Sequence, residues 1–514
     1  MEVDGAGMQT PGAAAARYSY LFPIGYSNSS ECGYCRQTRR GFSYYAIATS
    51  LTPEFYQKLV DRCWRRSGSL LYRPNQKHSC CPHYTLRLDS TQFKPTKDQR
   101  QAVNRFNRYV LGETYPRDAA RLHPRSRAEV RRRHNVFDLV ERIHEPEAGV
   151  VKTPPSPDHV FTVALEPDTF TEEKYEIFEN YQRIVHREPP DKISRHGFMR
   201  FLCNSPLRRG SAVGPDGTER QLGSFHHCYR IDGKLVAVGV LDLLPDCVSA
   251  VYFFYHESIH WLNPGKLGAL REIALAREAG YRWWYPGYYV HNCAKMRYKI
   301  DYKPQYVLDP EDLRWYPLDK DALARFDKHH YVCFSREDED VEMAEDSGGK
   351  TVTDSASALK PDEPGPHASS SAETEATSPP PAGPAPSQTQ PMNSTQANSY
   401  GDSSSPSEPE SNSSADSAEE EEEEEDSTFL LTSSMPGIPS LEDMRRVDMD
   451  GLVLRADFSD NLIVASHLVI WDTEDVAQFG SLKSRIAELV AAVGPDLLGE
   501  ICIDFRKRSS AAAG

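Results

Sequence analysis

Cys32-Gly-Tyr-Cys35 and Cys80-Cys81 put four thiols into two tight pairs. Two residues between Cys32 and Cys35 is the spacing of a chelating turn. Cys80 and Cys81 point apart in an extended chain, so both reach one centre only where the loop bends, and Pro82 favours that bend. His78 and His83 flank this second pair. Such a quartet binds zinc tetrahedrally or holds an iron–sulfur cluster, and spacing does not choose between them. Four ordinary buried cysteines would read the same way. A second chemical stretch is Tyr288-Tyr-Val-His-Asn-Cys-Ala-Lys-Met-Arg-Tyr-Lys299, which interleaves aromatics with Lys295, Arg297 and Lys299. In an extended segment these three cations face one side and suit an anionic ligand; a solvated edge strand carries the same pattern.

The elements that must position these residues follow from composition and periodicity. The chain has 514 residues, enough for two or three domains. It has no run of about 18 apolar residues, and Met1–Ala16 lacks the basic start and apolar stretch of a secretory leader. These features predict a cytoplasmic or nuclear protein with reduced cysteines and no membrane partner. The net charge of −16 hides an asymmetry: residues 336–427 hold 24 acidic and 3 basic side chains, residues 428–514 carry −5, and residues 1–335 carry +10. A basic body suits a polyanion such as nucleic acid.

The fold expected is α+β. Residues 1–20 read as a disordered N-terminus and 21–111 as an N-terminal Cys-cluster domain. There Thr52-Pro53-Glu54 starts a helix that Gly68 ends, with Cys63 in its core face. Residues 112–157 read as a basic linker, with Arg131–Arg133 able to touch RNA. Residues 158–335 give a strand at Val160–Leu165 and a helix capped by Thr169-Phe-Thr-Glu172. A hairpin follows, turning at Asp232-Gly233, with a strand at 248–255, a helix at 267–278 and an aromatic strand at 281–290. That element order matches a GNAT-like (acetyltransferase-like) core. Residues 336–427, ending in Glu419–Glu425, read as a disordered acidic segment. Residues 428–508 form a small C-terminal segment, with strands at 452–454, 462–464 and 466–471 and a helix at 482–493.

Several stretches, in this order, resemble one family. They are Cys32–Cys35, Asp61-Arg-Cys-Trp-Arg-Arg-Ser-Gly68, Tyr72-Arg-Pro74, Cys80-Cys-Pro-His-Tyr-Thr-Leu-Arg87 and Phe93-Lys-Pro-Thr-Lys97. Later come Phe201–Cys203, Asp232–Gly239, Asp242–Tyr252, Leu267–Ile273 and Tyr288–Lys299. Over residues 20–335 the chain is similar to eukaryotic arginyl-tRNA–protein transferase. The resemblance implies an enzyme that moves arginine from arginyl-tRNA to the α-amine of proteins beginning with Asp, Glu or oxidised Cys. The product is then marked for ubiquitin-dependent degradation, with ubiquitin ligases of the N-degron pathway as further partners. It implies a GNAT-like core that uses no CoA, and Gly265-Lys-Leu-Gly268 is only a partial echo of a pyrophosphate loop.

Within that reading Asp242 and Glu272 orient the amine or bind the arginyl guanidinium. Tyr252, Tyr288 and Tyr298 position the ester or stack on the terminal adenine. Lys295 and Arg297, then Arg200 and Lys299, meet the acidic acceptor and the tRNA end. The cysteines become a structural or redox-sensing centre apart from the chemistry. One departure stands out: the family's Tyr-Asp-Pro-Asp stretch is Tyr255-His-Glu-Ser258 here, so only Glu257 partly replaces its acids. A non-catalytic RNA- or degron-binding module and a CoA-dependent N-acetyltransferase stay open as alternatives.

Overall fold

The structure, a computed structural model, describes residues 17–35, 38–214, 217–336, 429–456 and 462–506. Of the stretches expected to be disordered, 1–20 and 336–427, residues 1–16 and 337–427 lie outside the described residues, while Ser19 and Tyr20 are buried and paired at the start of the first strand. From the N-terminus come β1 (Ser19–Glu31), β2 (Thr38–Ser50), α1 (Pro53–Val60), β3 (Arg65–Ser67), β4 (Leu70–Pro74), β5 (Tyr84–Asp89) and α2 (Lys97–Leu111). Then follow α3 (Tyr115–Leu122), α4 (Arg127–Asn135), α5 (Leu139–His144), β6 (Phe161–Pro167), α6 (Glu172–Tyr181) and α7 (Arg195–Phe198). The chain continues through β7 (Gly210–Val213), β8 (Glu219–Ile231), β9 (Lys234–Leu244), β10 (Cys247–Tyr255), α8 (Pro264–Glu278), β11 (Trp283–Tyr285) and β12 (Tyr288–Tyr289). Last come α9 (Ala294–Arg297), β13 (Gln305–Leu308), β14 (Trp315–Pro317), α10 (Lys320–Lys328), α11 (Leu441–Met444), β15 (Val453–Arg455), β16 (Ile463–Val464), α12 (Leu482–Val493) and β17 (Ile501–Asp504).

Two sheets organise these elements. The first runs β16-β15-β17-β1-β2-β4-β3. The C-terminal segment therefore completes the N-terminal sheet, with β17 parallel to β1 through Ser19–Leu21 and Ile501–Ile503. Trp64 Nε1 and Arg73 Nη1 both donate to the carbonyl of Ala492, at 3.0 and 2.7 Å, and α12 is buried along most of its length. Truncating the fully buried Trp64 to Ala would cost about 3–5 kcal/mol. The second sheet runs β14-β13-β5-β11-β10-β9-β8-β6. Its β5 comes from the cysteine-bearing region, so the two expected domains share a sheet rather than sitting apart.

Local chemistry explains most boundaries. Thr52 caps α1 by accepting from the Phe55 N–H at 3.2 Å, and Thr96 with Gln99 forms a capping box on α2. Asp232 and Gly233 both have positive φ, as a two-residue hairpin turn requires. Several expectations are corrected. The first helix ends at Val60, not near Gly68, because Cys63 turns left-handed (φ 66) and β3 begins at Arg65. Thr171, not Thr169, caps α6. Residues 112–157 hold α3, α4 and α5 in place of a plain linker, α4 and α5 being capped by Ser126 and Asp138. The aromatic strand splits at Pro286-Gly287 into β11 and β12. The stretch 466–471 makes turns instead of a strand.

Candidate active site

The four cysteines converge. Their sulfur atoms all lie within 4.8 Å of one another, and Cys35 Sγ is 3.3 Å from Cys80 Sγ. At about 2.3 Å per zinc–sulfur bond a tetrahedral site spaces sulfurs by roughly 3.8 Å, so the donor set fits a thiolate-bound metal. The Cys32 thiol is held well below the ordinary thiol range. A hydrogen bond from Cys81 is the main cause, and its pKa falls to about 4, while Cys80 is pushed up to about 12 by burial and the neighbouring thiols. His78 and His83 take no part in this set. The His83 ring packs edge-on to Tyr34 and Tyr288, and burial lowers its pKa to about 4.

The quartet does not stand apart from the second motif. Cys32 and Cys81 pack with Val290 and Cys293, and Tyr34, Cys80 and Met296 join them. The motif itself is not extended. Ala294–Arg297 is helical and Tyr298–Asp301 forms a 3-10 turn. Residues two apart on a helix diverge by roughly 200°, so the three cations separate: Arg297 is exposed, Lys295 half-buried and Lys299 buried. Lys299 Nζ donates to the Tyr288 carbonyl at 2.5 Å, and burial lowers its pKa to about 7. Lys295 and Arg297 have no ion-pair partner among the described residues.

The second centre lies where the large sheet opens. β10 and β11 pair in parallel from Cys247↔Trp283 to Ser249↔Tyr285. Beyond that they part, because β12 pairs with β5 instead. A register shift between Ala250 and Tyr252 leaves Val251 without an opposite residue on β9; bulges of this kind bend strands beside active sites. Glu272, on α8, faces both sides of this parting: it meets Trp284 on β11 and lies 3.4 Å from the Cβ position of Gly239, which pairs with Phe253 of β10. Its carboxylate accepts from Trp284 Nε1 at 2.9 Å, and the other oxygen has no hydrogen-bond partner among the described residues. Burial raises its pKa to about 7. Burial and then the Glu272 charge push the Tyr229 hydroxyl up; Tyr298, 52% exposed, feels the same charge at the mouth of the site. The Tyr302 ring lies 5.3 Å from Trp284. Phe253 packs onto Gly268, where any side chain would collide with its ring. The result is a carboxylate in an aromatic box, the environment of a cation site.

The other predicted residues fall elsewhere. Asp242 is fully buried and saturated by Arg66, which donates from Nε at 2.7 Å and Nη2 at 2.5 Å, while Nη2 also reaches Ser224. Tyr288 donates to the Cys63 carbonyl at 2.6 Å, under the Arg65 guanidinium. Tyr252 meets His186 Nε2 at 3.2 Å and packs on Phe201. His186 and Phe201 both lie in π-helical turns, Gln182–His186 and Met199–Cys203, a distortion frequent at functional sites. Arg200 is exposed on a polar groove with Thr49, Ser69 and Asn204. Glu257 exchanges hydrogen bonds with the Asn180 side chain. The sequence reading missed Arg66, Trp284, His186 and Cys293 as partners. Arg66 and Cys293 lie inside quoted motifs, while pairing of Trp284 with Glu272 had no local signal.

Two family models match the chain. One describes the N terminus of arginine-tRNA-protein transferase, over residues 30–101, and one its C terminus, over residues 173–309. Arginyl-tRNA–protein transferase 2 of Arabidopsis thaliana is 26% identical, covering 60% of this chain and 76% of its own length. Arginyl-tRNA–protein transferase 1 of Drosophila melanogaster is 27% identical, covering 59% and 84%. An aspartate/glutamate leucyltransferase of Pseudomonas fluorescens is 27% identical, covering 56% and 93%. No helix among the described residues is long and apolar enough to cross a membrane.

Proposed function

The chain belongs to the arginyl-tRNA–protein transferase family, enzymes that move arginine from tRNA to proteins, and we propose how its site does so. The acceptor is the α-amine of a chain that begins with Asp, Glu or oxidised Cys, and the product is marked for ubiquitin-dependent degradation. The relative named for aspartate and glutamate supports an acidic acceptor. The observation that carries the reading is Glu272, a buried carboxylate with one bare oxygen in an aromatic box at the sheet opening. A guanidinium fits it: planar, paired with the free oxygen, and stacked on Tyr298 or Trp284.

The reaction needs little from the protein beyond placement. The donor ester is already activated, and an α-amine with pKa about 7.7–8 is partly neutral at pH 7. Its nitrogen attacks the ester carbonyl carbon, the bond to the ribose oxygen breaks, and that oxygen takes up the amine's proton. Glu272 fixes the arginyl side chain, so the ester lies at the opening. Tyr252, oriented by His186, positions the ester, and Tyr298 stacks beside it. Lys295 binds the acidic side chain of the acceptor, with Arg297, on another face of the same turn, and Arg200 as further contacts. Lys299 holds the Tyr288 carbonyl, so both serve as positioning residues. Asp242 locks the two sheets together through Arg66. The β8–β9–β10 antiparallel run, α8 and the parallel β11 support reading this core as GNAT-like. It works without CoA: α8 starts with Pro264, which lacks an N–H for a pyrophosphate, and Phe253 covers Gly268. Cys32, Cys35, Cys80 and Cys81 would hold zinc or an iron–sulfur cluster, which would supply structural or redox-sensing chemistry.

The test uses purified protein, arginyl-tRNA labelled in the arginine, and peptides that begin with Asp or Gly. Label on the Asp peptide and none on the Gly peptide is expected. Equal labelling would remove the acidic-acceptor reading, and no labelling of either would remove the transfer reading.

A further inference from the structure

A basic, aromatic surface lies outside the site just described. Residues 97–133 hold 11 basic and 4 acidic side chains. Some of the arginines there are committed: Arg133 bridges Glu141 and Glu145, Arg132 meets Glu141, and Arg125 meets Glu129. Arg105 on α2, Arg121 on α3, and Arg127 and Arg131 on α4 have no carboxylate partner among the described residues, and all four are exposed. Arg127 and Arg131 are four apart, so they share one face of a helix that buries nothing. A lone arginine is ordinary; four unneutralised ones on three successive helices, two of them on one helix face, favour a polyanion.

Aromatic groups stand on the face of α2 that carries Arg105. Trp261 is 55% exposed, and its ring packs edge-on to Tyr109 at 5.2 Å. Tyr109 in turn lies 4.6 Å from the His159 ring. Tyr109 is one turn after Arg105 on α2. An exposed tryptophan packed on the tyrosine one turn from Arg105 offers a stacking platform for an unpaired base near a phosphate contact. The surface also has a direction. The first turn of α2 is tied to the site, through Gln99 Nε2 donating to the Asp301 carbonyl at 3.3 Å and an ion pair of Asp98 with Lys266. From there α2, 15 residues long, runs about 22 Å away toward α3 and α4.

We infer that this surface, Arg105, Tyr109 and Trp261 with Arg121, Arg127 and Arg131, is a second RNA contact that grips the donor tRNA away from its aminoacylated end. This rests on the transferase reading for the identity of the RNA. The arginines contact backbone phosphates, and Trp261 stacks a base. An acidic protein segment would suit the arginines but would leave Trp261 without a role.

The experiment titrates full-length protein with fluorescent, unacylated arginine tRNA across a salt series. The triple variant Arg121→Glu, Arg127→Glu and Arg131→Glu is expected to bind at least tenfold more weakly. Its log K against log salt slope should fall by about 2.7, the loss of three phosphate contacts. Replacing the same three by Lys should restore the slope. Trp261→Ala should weaken binding at least fivefold with the slope unchanged. In transfer assays the triple variant should raise KM for arginyl-tRNA and leave KM for the peptide alone. Unchanged affinity and slope in the triple variant would overturn the inference. So would poly-glutamate competing as well as tRNA while Trp261→Ala has no effect, which would assign the surface to an acidic protein. If the unaltered protein transfers no arginine while the variants still weaken tRNA binding, the RNA surface stands and the transfer reading falls.

Discussion

The seam around Asp242 and the sheet opening around Glu272 bury two carboxylates in one core. Asp242, on β9, receives two hydrogen bonds from Arg66, across the boundary between the sheets. Each of its oxygens already has a charged donor from one buried guanidinium. Glu272 receives one hydrogen bond from Trp284 and leaves an oxygen bare among aromatics. Burial without saturation is costly, and burial raises its pKa to about 7. The contrast separates structure from function better than burial does: a saturated charge holds a fold, and a half-satisfied one waits for a partner.

That contrast breaks most visibly on the stability side. Asp242→Asn strips the counter-charge from a fully buried guanidinium and should destabilise the protein by about 3–5 kcal/mol, read from urea unfolding. Replacing Arg66 and Asp242 together by apolar residues should cost much less. A small loss in the single variant would mean that Arg66 finds another partner. Glu272→Gln should do the reverse. The raised pKa of Glu272 supports stability below about pH 4.5 and withdraws it as pH rises through 7. Removing the charge should therefore gain roughly 3 kcal/mol at pH 8 relative to pH 4. The same variant should lose arginine transfer by about 100-fold, because the donor side chain loses its ion pair. If stability and activity fall together, Glu272 is another Asp242.

Smaller effects sharpen the account. Lys295→Ala with Arg297→Ala should lower kcat/KM for an Asp-first peptide about tenfold, with little change for binding of tRNA, since exposed charge contacts contribute modestly. Cys80→Ser should lose bound metal, measured by elemental analysis, and lower the unfolding midpoint while the folded protein keeps transfer of the same order. Abolished transfer in a fully folded Cys80→Ser protein would make the packing of Cys32 and Cys81 on Val290 and Cys293 a functional link.

Much of this was legible in the sequence where local chemistry decides. The Cys32/Cys35 and Cys80/Cys81 quartet, the Asp232-Gly233 hairpin and the α12 helix all rest on short-range spacing. Long-range pairing was not legible. Nothing near Asp242 announces Arg66, and nothing near β1 announces that β17, close to the other end of the chain, will pair with it. The 288–299 motif failed for a different reason: alternation suggested an extended segment, but Ala294–Arg297 closes a helical turn and turns Lys299 inward. Lys295, Arg297 and Lys299 therefore do not form one face, although they remain near one another in the chain.

The most direct test compares two donors that differ by one atom at the guanidinium: arginyl-tRNA and the same tRNA carrying citrulline, whose side chain is neutral. Transfer to an Asp-first peptide is measured for the unaltered protein and for Glu272→Gln. A strong preference for arginine in the unaltered protein, lost in Glu272→Gln, is the result this account predicts. An equal preference in both would contradict it and place the recognition of arginine elsewhere.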